Sequence, residues 1–591
     1  MKVLGISFET HDNGVAFVND GDIIFAINEE RLSRKKSDNS FPELSLKECL
    51  SASNLYPCEI DFVAISGFPR FKNLFFYAND ILSLIGLTRG KSFFSFQFAE
   101  RNIRKTKTKL EAIAINIAFS TGIPQYLLLF HKRFARLKKL LPGFKGEIRF
   151  VDHHIGHLAG AYYTSEWEDS LGVVAEGSGW DYTFSITDIT KGNFKRLHSV
   201  CWPHSPGRFY RLITEILGFD PRIHGGKITG LAAYGDYSKA ASKVNNLIKV
   251  ENGTLIVSPL IYTLLTDYHL NSNKIPKYFE EYNKEDLAAS FQKRLEDCIC
   301  ELIMNYLTSN KRIVFSGGVA ANVKLNQKIN EIPKVDGLYV FPAMSDAGLA
   351  LGSALWVTAL EFKKIGKVLK PKPWENVFLG LEFKSNDIES ELKKNNCKYE
   401  KVNNIEFKTA EILSMGHLVA RFNGRMEYGP RALGNRSILY NAQDKSVNDW
   451  LNVRLDRTEF MPFAPITIDN EVNKCYENIK DNYHTSKFMT LCYECTDYMK
   501  KNYPAAVHVD NTARPQFINA KNDTSLYNII KEYQSLTGFG TLINTSFNMH
   551  EEPIVCTPFD AINAFKRGKL DFLAIGDFIV RIIVKNVDSH C

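Results

Sequence analysis

The chain contains no run of 18 or more apolar residues free of charge, so no membrane-spanning helix is expected. The apolar run Leu127 to Phe130 is cut short by Lys132, Arg133 and Arg136. The opening Met1-Lys-Val-Leu-Gly-Ile-Ser lacks the basic and apolar blocks of a secretory signal, and a cytoplasmic protein is expected. There is no low-complexity tract, no phosphate loop of the form G-x-x-x-x-G-K-[ST] at the glycine-rich sites, and no repeat with a period of 20 to 50 residues. The last absence excludes a solenoid. The 11 cysteines are scattered. Cys492 and Cys495 form a C-x-x-C, but no second pair stands at the spacing of a structural zinc site, so reduced thiols are expected.

Acidic residues are scarce in one place. Residues 69–150 hold 16 Lys+Arg against 4 Asp+Glu, whereas the rest of the chain has 57 against 62. The excess lies among Phe75, Phe76, Tyr77, Phe93 and Phe94. Such a segment suits a nucleic acid, an anionic membrane surface or an anionic acceptor, and equally a helical insertion with a solvated basic face.

At 591 residues the chain exceeds one ordinary core, and 45% hydrophobic with 24% charged residues is the composition of a folded protein. Val3-Leu-Gly-Ile-Ser, Val15-Ala-Phe-Val and Ile23-Ile-Phe-Ala-Ile predict a meander of strands, and residues 101–141 predict helices. Gly172-Val-Val-Ala, Gly177-Ser-Gly and Tyr182-Thr-Phe-Ser-Ile predict strand, glycine turn, strand. Ile313-Val-Phe leads through Ser316-Gly-Gly into a helix expected from Ala320. Residues 366–375 are expected to be a linker between an N-terminal domain (1–365, with 69–150 as a basic helical insertion) and a C-terminal domain (376–591). In the latter, Val419-Ala-Arg-Phe, Pro465-Ile-Thr-Ile and Gly540-Thr-Leu-Ile-Asn predict strands of a separate mixed sheet.

His153 and His157 in V-D-H-H-I-G-H are four apart, which on a helix puts both imidazoles on one face. With a carboxylate from afar they would hold one metal ion and leave positions open. Asp346, in a glycine-flanked turn after a strand, is that candidate. Ordinary core or surface histidines are the competing reading. Gly177-Ser-Gly179, Gly225-Gly-Lys227, Gly230 and Gly317-Gly318 lie near strand or helix ends, where backbone N–H groups can approach phosphate. Each alone is equally a simple turn. Three such turns among alternating β and α segments suit the split phosphate loops of an actin-like nucleotide fold. Arg425, Arg431 and Arg436 fall within twelve residues punctuated by Gly429, Pro430 and Gly434. With Arg514, Asn544, Thr545, Ser546 and Asn548 they would line an anion pocket; surface salt bridges are the alternative.

These motifs carry a resemblance. The opening V-L-G-I-S-F-E-T-H-D-N-G with E-E-R-L-S-R-K-K, then D-H-H-I-G-H, G-G-K-I-T-G-L-A-A-Y-G, S-G-G-V-A-A-N, S-D-A-G-L-A-L-G, G-P-R-A-L-G-N-R-S, M-P-F-A-P, H-V-D-N-T-A-R and N-T-S-F-N follow in the order found in bacterial O-carbamoyltransferases of antibiotic and nodulation-factor pathways. The resemblance implies an N-terminal actin-like (ribonuclease H-like) domain, similar to threonylcarbamoyl-transfer proteins, and a C-terminal α/β domain that makes carbamoyl-adenylate from carbamoyl phosphate and ATP. The carbamoyl group would pass to a hydroxyl of a sugar, glycan or natural product, with no nucleic acid involved. By motif, His153, His157 and Asp346 would hold one divalent metal (iron, zinc or manganese), and Mg2+ could accompany ATP. Gly317, Gly318 and Asn322 would hold nucleotide with Lys227 nearby, and His11 would be the acceptor base. Arg425, Arg431, Arg436, Arg514, Ser546 and Asn548 would line the carbamoyl phosphate and adenylate site, Arg431 and Arg436 as catalytic groups. A tRNA-modifying relative and a non-catalytic relative are the alternatives. Three positions depart from the family pattern: Ser37 for a histidine, Glu176 for an aspartate in D-G-x-G, and Leu455-Asp456-Arg457 where a lysine is usual, so that Arg454 and Arg457 both qualify as its replacement.

Overall fold

The computed structural model describes residues 1–8, 11–67, 123–179, 182–271, 273–309, 311–457, 460–480 and 482–581. The expected helices before residue 123, and most of the basic segment with them, lie outside the described residues. The helix Ile123–Leu140 carries the later part of that segment.

The N-terminal half is built from two sheets of one topology. In the first, β1 (Lys2–Ser7), β2 (Gly14–Asn19) and β3 (Asp22–Asn28) form an antiparallel meander, and β4 (Phe62–Ser66) and β5 (Glu147–Val151) continue it in parallel, in the order β3-β2-β1-β4-β5. In the second, β6 (Asp169–Gly179), β7 (Tyr182–Thr190) and β8 (Asn193–Cys201) form the meander. After a small hairpin of β9 (Ile248–Glu251) and β10 (Thr254–Val257), β11 (Lys311–Ser316) and β12 (Val335–Val340) complete the order β12-β11-β6-β7-β8. In both sheets only the second strand runs against the other four. That duplicated arrangement is the actin-like pairing of two ribonuclease H-like units.

Each unit ends in a helix after its last strand, His153–Tyr163 in the first and Leu349–Lys364 in the second. The two helices cross in backbone contact because small residues face each other there. A Cβ added to Gly352 would sit 1.8 Å from the Gly156 carbonyl oxygen. The crossing brings the start of one helix beside the turn that precedes the other.

After Lys364 the chain has little regular structure until the helix Ser385–Lys394. Among the described residues the C-terminal half is built around an eight-stranded mixed sheet. Its strands are β13 (Tyr399–Lys401), β14 (Val419–Phe422), β15 (Arg436–Asn441), β16 (Ala464–Ile468), β19 (Gln516–Ile518), β20 (Thr541–Ser546), β21 (Phe572–Ile575) and β22 (Phe578–Arg581). A short ladder of β17 (Tyr493–Glu494) and β18 (Thr512–Ala513) stands apart. The order β13-β22-β21-β14-β15-β20-β16-β19 contains the three strands read from the sequence. The helices Ile405–Ser414 and Thr524–Thr537 bury Ile412, Leu413, Leu526, Ile529 and Ile530 in the same apolar cluster as Val419 and Ile466.

Two local expectations shift. Gly177 and Gly179 fall inside β6, which reaches Gly179 through a bulge, rather than in a separate turn. The helix after β11 starts at Val323, because Gly318–Ala321 form a 3-10 turn first.

Candidate functional site

Asp152 caps the helix His153–Tyr163 by accepting the Ile155 N–H at 3.0 Å. One turn apart, His153 and His157 face the same point. Asp346 approaches it from the turn before Leu349, and Glu176 from the end of β6. The ligand atoms of these four buried residues lie within 4.8 Å of one another. His153 Nε2 is 2.9 Å from Glu176 Oε2 and 3.7 Å from Asp346 Oδ1. His157 Nε2 is 2.5 Å from Glu176 Oε1 and 3.6 Å from Asp346 Oδ1.

The chemistry of this set fits a divalent cation. The His157–Glu176 contact is short, yet its angles make no hydrogen bond, as expected of two lone pairs aimed at a shared centre. Behind it, Ser316 Oγ donates to Met344 O at 3.1 Å and stands 3.2 Å from His157 Nδ1. Ser316 Oγ can therefore accept from His157 Nδ1–H, which leaves the Nε2 lone pair pointing inward. His154 faces away, with Nδ1 2.7 Å from Ser185 Oγ and Nε2 3.1 Å from Tyr182 O. Glu176 is the member of this cluster that the sequence reading did not single out as a metal candidate. The available signal was an acidic residue standing before a glycine where the aspartate of D-G-x-G is usual.

His11 sits half-exposed at the rim, 3.2 Å from Asp12 Oδ2 and 4.0 Å from Asp346 Oδ2. Burial lowers its pKa, but the Asp12 hydrogen bond and the Asp346 and Glu176 carboxylates outweigh this and raise it to about 9. Ser37, at φ +54°, donates its N–H to Glu30 Oε2 at 2.9 Å.

The two glycine motifs of the first half meet through a chain of side chains. Thr229, two residues after Lys227, is 3.0 Å from Tyr210 Oη, which donates to Gln292 Oε1 at 2.6 Å. Gln292 and the Asn322 amide exchange hydrogen bonds at 2.8 and 3.1 Å. Gly317 adopts φ +96° with Ala175 O 2.4 Å from where a Cβ would be, whereas Gly318 faces open space. Lys227 is buried, its ammonium 5.8 Å over the Phe219 ring.

The arginine motif divides. Arg436 has no exposed surface, and its guanidinium donates to the carbonyls of Asn423 (2.5 Å), Asn435 (3.0 Å), Gly424 (3.1 Å) and Leu381 (3.5 Å). It stacks 3.7 Å from the Phe422 ring centre, and burial lowers its pKa to about 10. Arg425 donates to Gly380 O, Leu379 O and, across the two halves, Ile24 O. These two arginines of the expected anion pocket therefore hold the loop in place. Arg431 and Arg514, from separate segments, both lie near enough to the buried Cys492 to act on its charge. Burial raises that thiol to about 11, and Lys324, Arg514 and Arg431 oppose the rise.

The loop that carries Arg431 backs onto the cation cluster. Tyr428 Oη donates to Ala347 O beside Asp346, and Arg31 Nη2 donates to Gly429 O at 2.7 Å. Residues 2–355 match the model of the carbamoyltransferase N-terminus, and residues 410–582 match that of the carbamoyltransferase C-terminus.

The chain belongs to the carbamoyltransferase family.

Protein MJ1058 of Methanocaldococcus jannaschii is 30% identical over 98% of this chain and 99% of its own. The nodulation protein NolNO of Sinorhizobium fredii is 28% identical over 97% of this chain and 79% of its own. The 3'-hydroxymethylcephem-O-carbamoyltransferase of Streptomyces clavuligerus is 25% identical over 61% of this chain and 65% of its own. The enzyme is accordingly a carbamoyltransferase.

In this carbamoyltransferase Arg457 and Arg454 have different surroundings. Arg457 Nη1 donates to Thr545 Oγ1 at 2.7 Å, and its Nη2 lies 3.2 Å from Ser546 Oγ and 3.0 Å from Asn548 Oδ1. Arg454 pairs with Asp571 at 3.0 Å on the surface. Arg457 is thus the cation set against N-T-S-F-N, which sequence spacing left open.

Proposed function

We propose that this carbamoyltransferase forms carbamoyl-adenylate from carbamoyl phosphate and ATP in its C-terminal half and passes the carbamoyl group to a hydroxyl of a sugar, glycan or natural product in its N-terminal half. The new anhydride joins the carbamoyl oxygen to the α-phosphorus, so pyrophosphate leaves ATP and phosphate leaves carbamoyl phosphate, with one water consumed. Arg431 and Arg514 offset the charge on the departing phosphate, and Arg457 orients Ser546 and Asn548 toward the same pocket. In the second step the acceptor oxygen attacks the carbamoyl carbon, AMP leaves, and His11 takes the hydroxyl proton in its neutral form, which a divalent ion on Asp346 and Glu176 would favour by offsetting the carboxylates that raise its pKa. A divalent ion held by His153, His157, Glu176 and Asp346 would supply Lewis acidity toward the adenylate phosphate. The Gly317–Gly318 turn and Asn322 hold the nucleotide from the other side.

The observation that carries the reading is the four-ligand cluster with His11 at its rim, backed by the Tyr428–Ala347 contact to the arginine loop. The names of the cephem O-carbamoyltransferase and the nodulation relatives support a hydroxyl acceptor. The test is incubation of purified protein with carbamoyl phosphate, ATP and a divalent metal, with mass detection of carbamoyl-adenylate. Formation by the wild type and its loss in Arg431→Ala are expected. Absence from the wild type overturns the reading, and normal turnover by Arg431→Ala removes the role given to that residue.

A further inference from the structure

The helix Val323–Glu331 belongs to the first half and starts at Asn322, whose Oδ1 accepts the Leu325 N–H at 3.1 Å. Three of its side chains cross into the second half. Lys324 Nζ lies 2.9 Å from Asp510 Oδ2 and 3.4 Å from Thr512 Oγ1. Asn326 donates to Thr490 O at 2.7 Å, and Gln327 donates to Glu494 Oε1 at 3.0 Å. The lysine contact differs from the other two in what it reaches. Asp510 Oδ1 also accepts the Thr512 N–H at 3.1 Å and the Thr512 hydroxyl at 2.7 Å, and it stands 3.4 Å from His508 Nδ1. Thr512 and Ala513 form the short strand that leads directly into Arg514.

We propose that Asp510 is a positioning residue for Arg514 and that Lys324 of the first half locks it, so the anion pocket of the second half is completed from across the molecule. The inference rests on the proposed carbamoyl phosphate role of Arg514. Asp510 Oδ1 serves the Thr512 N–H, the Thr512 hydroxyl and the His508 ring, and Lys324 fixes the other oxygen of the same carboxylate. Burial raises the pKa of Asp510, but His508, Lys324 and Thr512 outweigh it and hold the carboxyl well below the usual range, so it stays a full anion. Lys324 also has Gln327 Oε1 at 2.9 Å, which restrains its swing.

The experiment compares Lys324→Met and Asp510→Asn with Lys324→Arg, and with Arg34→Met as control. Arg34 ties the halves elsewhere, through Pro553 O and Ile554 O. Expected are a roughly tenfold rise in KM for carbamoyl phosphate in both Lys324→Met and Asp510→Asn, and a double variant no worse than either single one. KM for ATP should stay within about twofold, and Lys324→Arg should restore much of the loss. A general weakening of the interface predicts the same rise in Arg34→Met, and that result overturns the proposal, as does an unchanged KM in Lys324→Met. Calorimetry with inorganic phosphate gives the same comparison without turnover. If the wild type makes no carbamoyl-adenylate, the earlier reading fails, whereas weaker phosphate binding in both Lys324→Met and Asp510→Asn, with Arg34→Met unchanged, still supports the lock.

Discussion

Two arginines five residues apart should fail in opposite ways. Replacing Arg436 with Met keeps a chain of similar length against the Phe422 ring but removes a buried guanidinium bonded to four carbonyls. Two of these acceptors retain another donor, because Asn435 O also accepts from Asn423 N and Leu381 O from Met426 N. Asn423 O and Gly424 O lose the donor that Arg436 supplies. At about 2 kcal/mol for each stranded buried acceptor, the variant loses about 4 kcal/mol of local stability. That corresponds to about a thousandfold larger population of the opened loop. Native-state proteolysis reads this population when reclosing is fast. Arg436→Met should be cut about three orders of magnitude faster than wild type, with the new sites in residues 423–436, while carbamoyl-adenylate formation at low temperature falls less than tenfold. Arg431→Ala should be cut at the wild-type rate and form none. A proteolysis-resistant Arg436→Met that has lost its chemistry would refute the assignment of Arg436 to the scaffold.

Further outcomes follow from the same geometry. Glu176→Gln should lose at least tenfold in divalent-metal affinity by calorimetry on the metal-stripped protein, comparable with His157→Gln. Gly352→Ala should cost about 1–3 kcal/mol in chemical denaturation and weaken metal binding too, because its Cβ would force apart the helices that set His153, His157 and Asp346. His484 is buried, lies 2.8 Å from Trp374 O and stacks on Tyr339, and burial lowers its pKa to about 4. Its folded pKa is below the unfolded one near 6.5, so the unfolded chain binds the extra proton between these values. The contribution is full above about pH 6.5 and is lost as pH falls toward 4, at about 1.4 kcal/mol per unit. Replacing His484 with Gln should flatten that part of the pH–stability curve by up to about 3 kcal/mol.

Local order was legible in the sequence because it follows local rules. Alternating apolar residues marked β1, β2 and β3, and the four-residue spacing of His153 and His157 fixed their shared helix face before any fold was known. The motif series carried the family, and Arg431, Arg514 and Asp346 were named as candidates from their residue types and turns. What a side chain meets across the molecule follows no local rule. Glu176 joins the histidines because β6 runs beside β11 and ends at the head of the helix His153–Tyr163. Arg436 turns inward because its loop folds back on four carbonyls, and nothing in the spacing of three arginines says which will face a ligand and which will hold the backbone. Arg457 reaches Ser546 and Asn548, while Arg454, three residues earlier, points to Asp571. Most residues of the two candidate sites were thus marked in the chain, whereas the parts of Glu176 and Arg457 were not. Their assembly was decided by strand order, by one glycine-to-glycine helix crossing, and by the need of every buried carbonyl for a donor.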